Sequence, residues 1–254
     1  MQAASDGDTE IPEALLATDQ WCDDACEKWY GTERKKPAHF AEAIVDFRKG
    51  EAGSVEEMLK VATQTDEYVS AIARASALSE LGNNGVPDFY KTSIPILKNL
   101  DENPIVRAAA INTFMAAPPN ATRKALLPLL QDESRLVRTE AARVLVASGT
   151  FGDRGTSETD RTRISLALRE VQEAYMSASD RAGSHLGWAM LCEGQGRYDE
   201  AISSYETAIR IEPKVAGARS NLAGLLENLA GQSRGGPQAA ALMRRAEELR
   251  AQEL

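Results

Sequence analysis

The side chains able to do chemistry are few. Two histidines, His39 and His185, and three cysteines, Cys22, Cys26 and Cys192, are the whole supply of imidazoles and thiols. Nucleophilic catalysis needs a Ser, Thr or Cys beside a base that is itself oriented. Here one imidazole falls at the start of a helical pattern and the other at a packing position of a later one. A zinc site needs four clustered ligands, and these five residues are dispersed along the chain. Cys22 and Cys26 sit four apart on one helical face, where a bridge between them is strained. Cys192 lies at a packing position and reads as a buried, inert thiol. Carboxylate pairs such as Glu56-Glu57 and Glu247-Glu248 occur among Lys and Arg on helical stretches, as solvated faces. Gly149, Gly152 and Gly155 are spaced loosely like a phosphate loop, but no strand precedes them and no Gly-Lys-Ser/Thr follows. The expectation is a protein without a catalytic set, a metal site or a cofactor of its own.

The elements that must position any functional residue are helices. The 254 residues are 43% hydrophobic and only 6% aromatic. Ala and Leu dominate, and Glu, Arg, Lys and Gln fill the gaps, a mixture that favours helix at every position. With three cysteines, a disulfide scaffold is excluded and the core must supply the stability. The net charge of -9 argues against nucleic-acid binding, which draws on clustered Lys and Arg. The one dense basic run, Glu33-Arg34-Lys35-Lys36, is a short solvated loop. Nowhere is there a run of eighteen apolar residues, so no membrane span is expected. Residues 1–12 read as disordered and carry neither a basic start nor an apolar stretch, which as written makes the chain cytoplasmic by default.

A helical pair is expected over 13–50, and internal repeats follow it. Ile72-Ala73-Arg74, Ile105-Val106-Arg107 and Leu136-Val137-Arg138 are three copies of one pattern, with the arginines 33 and 31 residues apart. Ile94-Pro95-Ile96-Leu97 and Leu127-Pro128-Leu129-Leu130 repeat in the helices before them, and each leads into an acidic turn, Asp101-Glu102 and Asp132-Glu133. Such a helical hairpin has an apolar face too large to hide alone, so stacked neighbours must form the core. The acidic turns are placed to cap the helices that follow. The pattern over 51–149 resembles HEAT repeats, which implies that Arg74, Arg107, Asp132 and Arg138 link adjacent units. Residues 150–157 break it and read as a linker.

From Ala182 to Pro213 the chain resembles one tetratricopeptide repeat (TPR). Trp188 and Ala189 belong to its first helix, Gly196 and Tyr198 to the turn, Ala201, Tyr205 and Ala208 to its second helix, and Pro213 to the stop. Ala167, Val171 and Ala174 upstream, and Leu222, Ala223 and Leu226 then Ala239, Met243 and Ala246 downstream, extend the match to about two and a half repeats over 158–254. The last helix is expected to cap the stack. The whole reads as an all-α solenoid of HEAT-like hairpins followed by TPR hairpins. Its groove positions fall at Leu186, Gly187, Met190, Glu193 and Gly194, and at Ser220, Asn221, Gly224, Glu227 and Asn228. An apolar floor with acidic edges suits a basic or amphipathic segment of a partner protein.

A further resemblance rests on Trp21, Trp29-Tyr30-Gly31 and Pro37-Ala38-His39-Phe40-Ala41-Glu42-Ala43, followed by HEAT-like and then TPR hairpins. This order is similar to the C-terminal half of a family of bacterial multihaem c-type cytochromes. The family's Cys-x-x-Cys-His attachment sequence is absent here, because the stretch Thr9 to Ala14 has no Cys or His and Cys22-x-x-x-Cys26 has the wrong spacing. The resemblance implies a fragment whose haem domain lies upstream, or a gene that has lost it. It implies that c-type haem belongs to an upstream domain or to a partner such as a multihaem cytochrome, with a docking role for this chain and a periplasmic location if the natural protein is longer.

Overall fold

The computed structural model describes residues 40–64, 69–84, 86, 88–233 and 235–252, together with Asp24 and Lys28. The chain divides into a unit ending at Glu42 and a second running from Ala43 to Leu254. Trp21, Cys22, Cys26, Trp29, Tyr30, Gly31, the Glu33–Lys36 run and His39 lie outside the described residues, as do the expected disorder of 1–12 and most of the first helical pair. Asp24 and Lys28 are helical and exposed, and α1 (Phe40–Lys49) opens the well-described part.

Among the described residues the architecture is helical throughout, with no strand. Three hairpins come first: α2 (Ser54–Thr63) with α3 (Ala71–Asn83), α4 (Tyr90–Lys98) with α5 (Pro104–Asn112), and α6 (Pro119–Leu126) with α7 (Arg135–Ala147). The second helices α3, α5 and α7 pack side by side in that order. Next comes a long single helix, α8 (Glu158–Met176), which lies against α7. Two more hairpins complete the array: α9 (Ala182–Gly194) with α10 (Tyr198–Ile211), and α11 (Ala218–Gln232) with α12 (Pro237–Ala251). One hydrophobic core runs without a break from Met58 to Ala246. This is the α-solenoid geometry, in which each hairpin buries its apolar face only against its neighbours.

Local chemistry sets the helix starts. Ser70 Oγ accepts from the Ala73 amide at the head of α3, and Asn103 Oδ1 accepts from the Ile105 amide at the head of α5, with Pro104 in the first turn. Ser157 caps α8 through the Asp160 amide at 3.1 Å and donates back to the Asp160 carboxylate at 2.6 Å. The repeated prolines have different outcomes. Pro95 is tolerated inside α4, whereas around Pro128 the helix tightens into a 3₁₀ turn, Leu127–Gln131. A proline has no amide to donate, so each of these helices loses a bond there and the second one changes its winding.

The acidic turns do more than cap. Glu102 receives two hydrogen bonds from Arg74, at 2.9 and 2.6 Å, and Asp132 receives one from Arg107 Nη2. Arg138 completes the series by reaching Glu170 on α8. All three arginines thus fasten one unit to the next, and the third rung crosses the glycine-containing segment 149–157. That segment is a tight turn whose Thr150 and Thr156 side chains are buried, with Asp153 paired to Arg123 of α6.

Candidate functional site

Two glycines on α9 decide how closely the later hairpins approach the earlier ones. A Cβ on Gly187 would stand 2.8 Å from the Tyr175 ring of α8, and one on Gly194 would stand 2.5 Å from Val146 Cγ1 of α7. Seven residues is two helical turns, so both glycines lie on one face of α9. A larger residue at Gly187 would have to displace the Tyr175 ring, and one at Gly194 the Val146 side chain, so both helices approach this closely only because neither position carries a Cβ. The close approach creates a groove of about 700 Å³ along α7, α9 and α11.

The groove takes side chains from both sides of the 149–157 turn. Met115, from the 3₁₀ turn Thr113–Ala116 after α5, and Met190 on α9 are both largely exposed beside it, and Val146, Leu191 and Leu225 supply further apolar wall. Its polar groups are bound unequally. Arg143 donates to Glu140 through Nε at 3.0 Å and Nη2 at 2.6 Å, and also to Asn112, so its charge is offset on the spot. The Glu140 hydrogen bonds raise the Arg143 pKa further above its ordinary value. Glu193 instead accepts from a neutral donor, the buried Tyr205 hydroxyl, at 2.9 Å. Burial and that carboxylate both push the Tyr205 phenol upward, so it stays protonated. Among the described residues no cation is bonded to Glu193, which lines the groove together with Asn221. Tyr175, also at the groove, has its pKa raised by burial.

Residues 90–159 match the family model for HEAT repeats, and residues 182–215 match that for a tetratricopeptide repeat. This chain is an all-α solenoid that contains HEAT repeats over 90–159 and a TPR over 182–215. Neither matched model speaks of cytochromes, and no curated protein or solved structure matches the chain. The HEAT match covers α4 to α7, and the Arg74 hairpin precedes it. Arrays of both kinds typically serve as protein-interaction scaffolds.

The TPR residues occupy two kinds of place. Trp188, Ala189, Ala201, Tyr205 and Ala208 are buried, with the Arg197 guanidinium over the Trp188 ring at 5.4 Å. Gly196 has φ +76° at the turn, Tyr198 opens α10, and Pro213 follows its end. Of the expected groove residues, the structure gathers Gly187, Met190, Glu193, Gly194, Ser220, Asn221 and Gly224 around one cavity. It leaves three elsewhere. Leu186 packs on Ala182, Ala208 and Ala218. Glu227 pairs with Arg250 at 2.8 and 2.9 Å, and Asn228 meets Gln232 on the same helix. His185 Nε2 donates to the Ser179 carbonyl at 2.9 Å. Cys192 is fully buried, with its thiol pushed up to about 11 by desolvation.

Sequence reasoning missed the HEAT contribution to the groove, namely Met115, Arg143 and Val146, and also Tyr175 on α8. The available signal was helix phase. Arg143 lies five residues after the linking Arg138, roughly 140° round α7, so it cannot serve the same neighbour. Among the described residues no group of three metal-ligating side chains occurs, and no helix is long and apolar enough to cross a membrane.

Proposed function

We propose that this chain is a non-enzymatic scaffold that holds a segment of a partner protein in the groove between its HEAT and TPR halves. The observation that carries the reading is that two exposed methionines, Met115 from one half and Met190 from the other, line one groove with a carboxylate, Glu193, whose one bonded partner among the described residues is a phenol. Methionine is polarisable and unbranched and adapts to varied apolar surfaces. A segment with apolar side chains at helical spacing and one Lys or Arg would cover the methionines and meet Glu193. Asn221 can donate and accept at the same surface.

The test is a comparison of partners retained by the tagged native protein and by a Met190→Asp, Asn221→Ala variant with unchanged helicity. Loss of specific partners from the variant is the expected result. Retention of every partner would refute the groove as the binding surface. A visible spectrum of the native eluate adds a second readout, because a haem Soret band would identify the client as a cytochrome and a colourless eluate would leave a general scaffold.

A further inference from the structure

Glu193 and Tyr205 are joined across a hairpin. Glu193 lies at the end of α9 and Tyr205 twelve residues on, in the middle of α10, and the phenol donates to Glu193 Oε2 at 2.9 Å. The sequence places Tyr205 at a TPR packing position, which its fully buried ring fulfils without help from the hydroxyl. Burial and the nearby carboxylate both oppose ionisation of the phenol, so it keeps its proton. The bond therefore runs one way, with the phenol giving and the carboxylate accepting. A free glutamate side chain samples many rotamers, and ordering it on binding weakens affinity. Here a rigid neighbour has ordered it beforehand.

The other carboxylate oxygen is open. Among the described residues the buried side-chain nitrogen and oxygen atoms that lack a hydrogen-bond partner are Arg107 Nε and Arg219 Nε. Glu193 Oε1 is not one of them, although it too has no partner among those residues, so it is accessible at the groove that Glu193 lines. The same holds for the amide of Asn221, on the facing wall contributed by α11. Arg143, the other charged side chain of the groove among the described residues, is already joined to Glu140.

We propose, resting on the reading of the groove as the surface that holds a partner segment, that Tyr205 is a positioning residue that makes Glu193 select a lysine of that segment over an arginine. A guanidinium binds a carboxylate best as a fork, with one N–H on each oxygen. With Oε2 taken by the phenol, it keeps a single good bond. An ammonium is a compact donor that needs one oxygen per N–H. It can bond Oε1 and turn its remaining N–H groups to the Asn221 amide oxygen and to water.

The experiment measures, by fluorescence anisotropy with the intact chain, an amidated alanine-based helical peptide carrying leucines at helical spacing and one lysine. Two counterparts carry arginine or norleucine in place of the lysine. The lysine peptide is expected to bind about fivefold tighter than the arginine peptide, with norleucine weakest. Tyr205→Phe keeps the buried ring and frees both oxygens, so the preference for lysine should close or reverse. An unchanged lysine-to-arginine ratio in that variant would overturn the positioning role. Equal binding of the two peptides by the parent would overturn the selection. In both cases binding would still be lost in Met190→Asp, and the groove reading would stand. Glu193→Gln supplies an arm that does not depend on the folding of Tyr205→Phe: it should bring the lysine and norleucine peptides to equal affinity, and a surviving lysine advantage would overturn the proposal. Binding indifferent to Met190→Asp, or no binding of any of the three peptides, would overturn the groove reading and this proposal with it.

Discussion

Arg138 donates to Glu170 through Nε at 3.0 Å and Nη2 at 2.8 Å, joining the last HEAT helix to the first helix beyond the glycine turn. The same arginine holds the Asp132 and Glu133 carbonyls of its own turn. It therefore fixes both the entry to α7 and the neighbour that α7 meets. The Arg138 hydrogen bonds lower the Glu170 pKa. Glu170→Gln should loosen α8 from α7 without unfolding α2 to α5, which amide exchange would show as lost protection confined to α7 and α8. Uniform loss across the chain would mean that this rung has no local role.

The buried pair Arg107 and Asp132 should be far more sensitive to one-sided change. Both side chains are under 7% exposed, at 4% and 6%. Asp132→Ala strands a buried cation and is expected to cost about 3–5 kcal/mol. Replacing both members, as Arg107→Met with Asp132→Leu, should recover most of that loss. Urea denaturation of the two variants decides it, and a double variant no more stable than Asp132→Ala would refute the account.

Glu102 gives the fold an acid limit. Burial pushes its carboxyl up, but the Arg74 hydrogen bonds, the Asn103 amide and the Arg74 and Arg107 charges outweigh this and leave its pKa below the ordinary value. A depressed folded-state pKa means that the stabilisation is complete above the unfolded value, about 4.3, and is lost as pH falls through the folded one. Glu102→Gln should be less stable than the parent at pH 7, and the difference should shrink below about pH 4. A difference that stays constant to pH 3 would contradict the assignment.

Gly194→Ala tests the close approach of α9 to α7. In an isolated helix the change is favourable by about 1 kcal/mol, but here the new methyl meets Val146 Cγ1 at 2.5 Å. Overpacking of this kind costs about 1–3 kcal/mol. Thermal melts should show a loss for Gly194→Ala that a second change, Val146→Ala, relieves. A stabilised single variant would show that the contact yields freely.

Cys192 should be chemically silent in the folded protein. With its thiol raised to about 11, little thiolate exists near pH 8. In a Cys22→Ser, Cys26→Ser background, a disulfide reagent should react with Cys192 only after urea is added. Rapid reaction of the folded chain would place this thiol at a mobile surface.

Helicity and repeat phase were legible because they are local. The arginines at 74, 107 and 138 recur in the same place within each hairpin, and the Ala- and Leu-rich spacing specifies the face each helix must bury. The partners of those arginines were only half legible. Asp132 belongs to the recurring acidic turn, but Arg74 chooses Glu102, one position further along its turn, and Arg138 chooses a glutamate on a long helix of different pattern. Side-chain length and the local path of each turn make that choice, and neither is periodic.

The groove shows the same division. Met190 and Asn221 could be placed on inner helices from their TPR register. Met115 and Arg143 could not, because Arg143 bonds Asn112 across 31 residues and faces α9 only through the stacking of α7 on it. By itself the sequence determined an all-α solenoid of hairpins, since helix propensity and apolar period act over a few residues. The tertiary structure alone decided which faces of non-adjacent hairpins converge, because that depends on how closely small residues such as Gly187 and Gly194 let the helices approach. It also decided that Arg107, which recurs in the same place as Arg74 and Arg138, keeps a buried Nε without a partner.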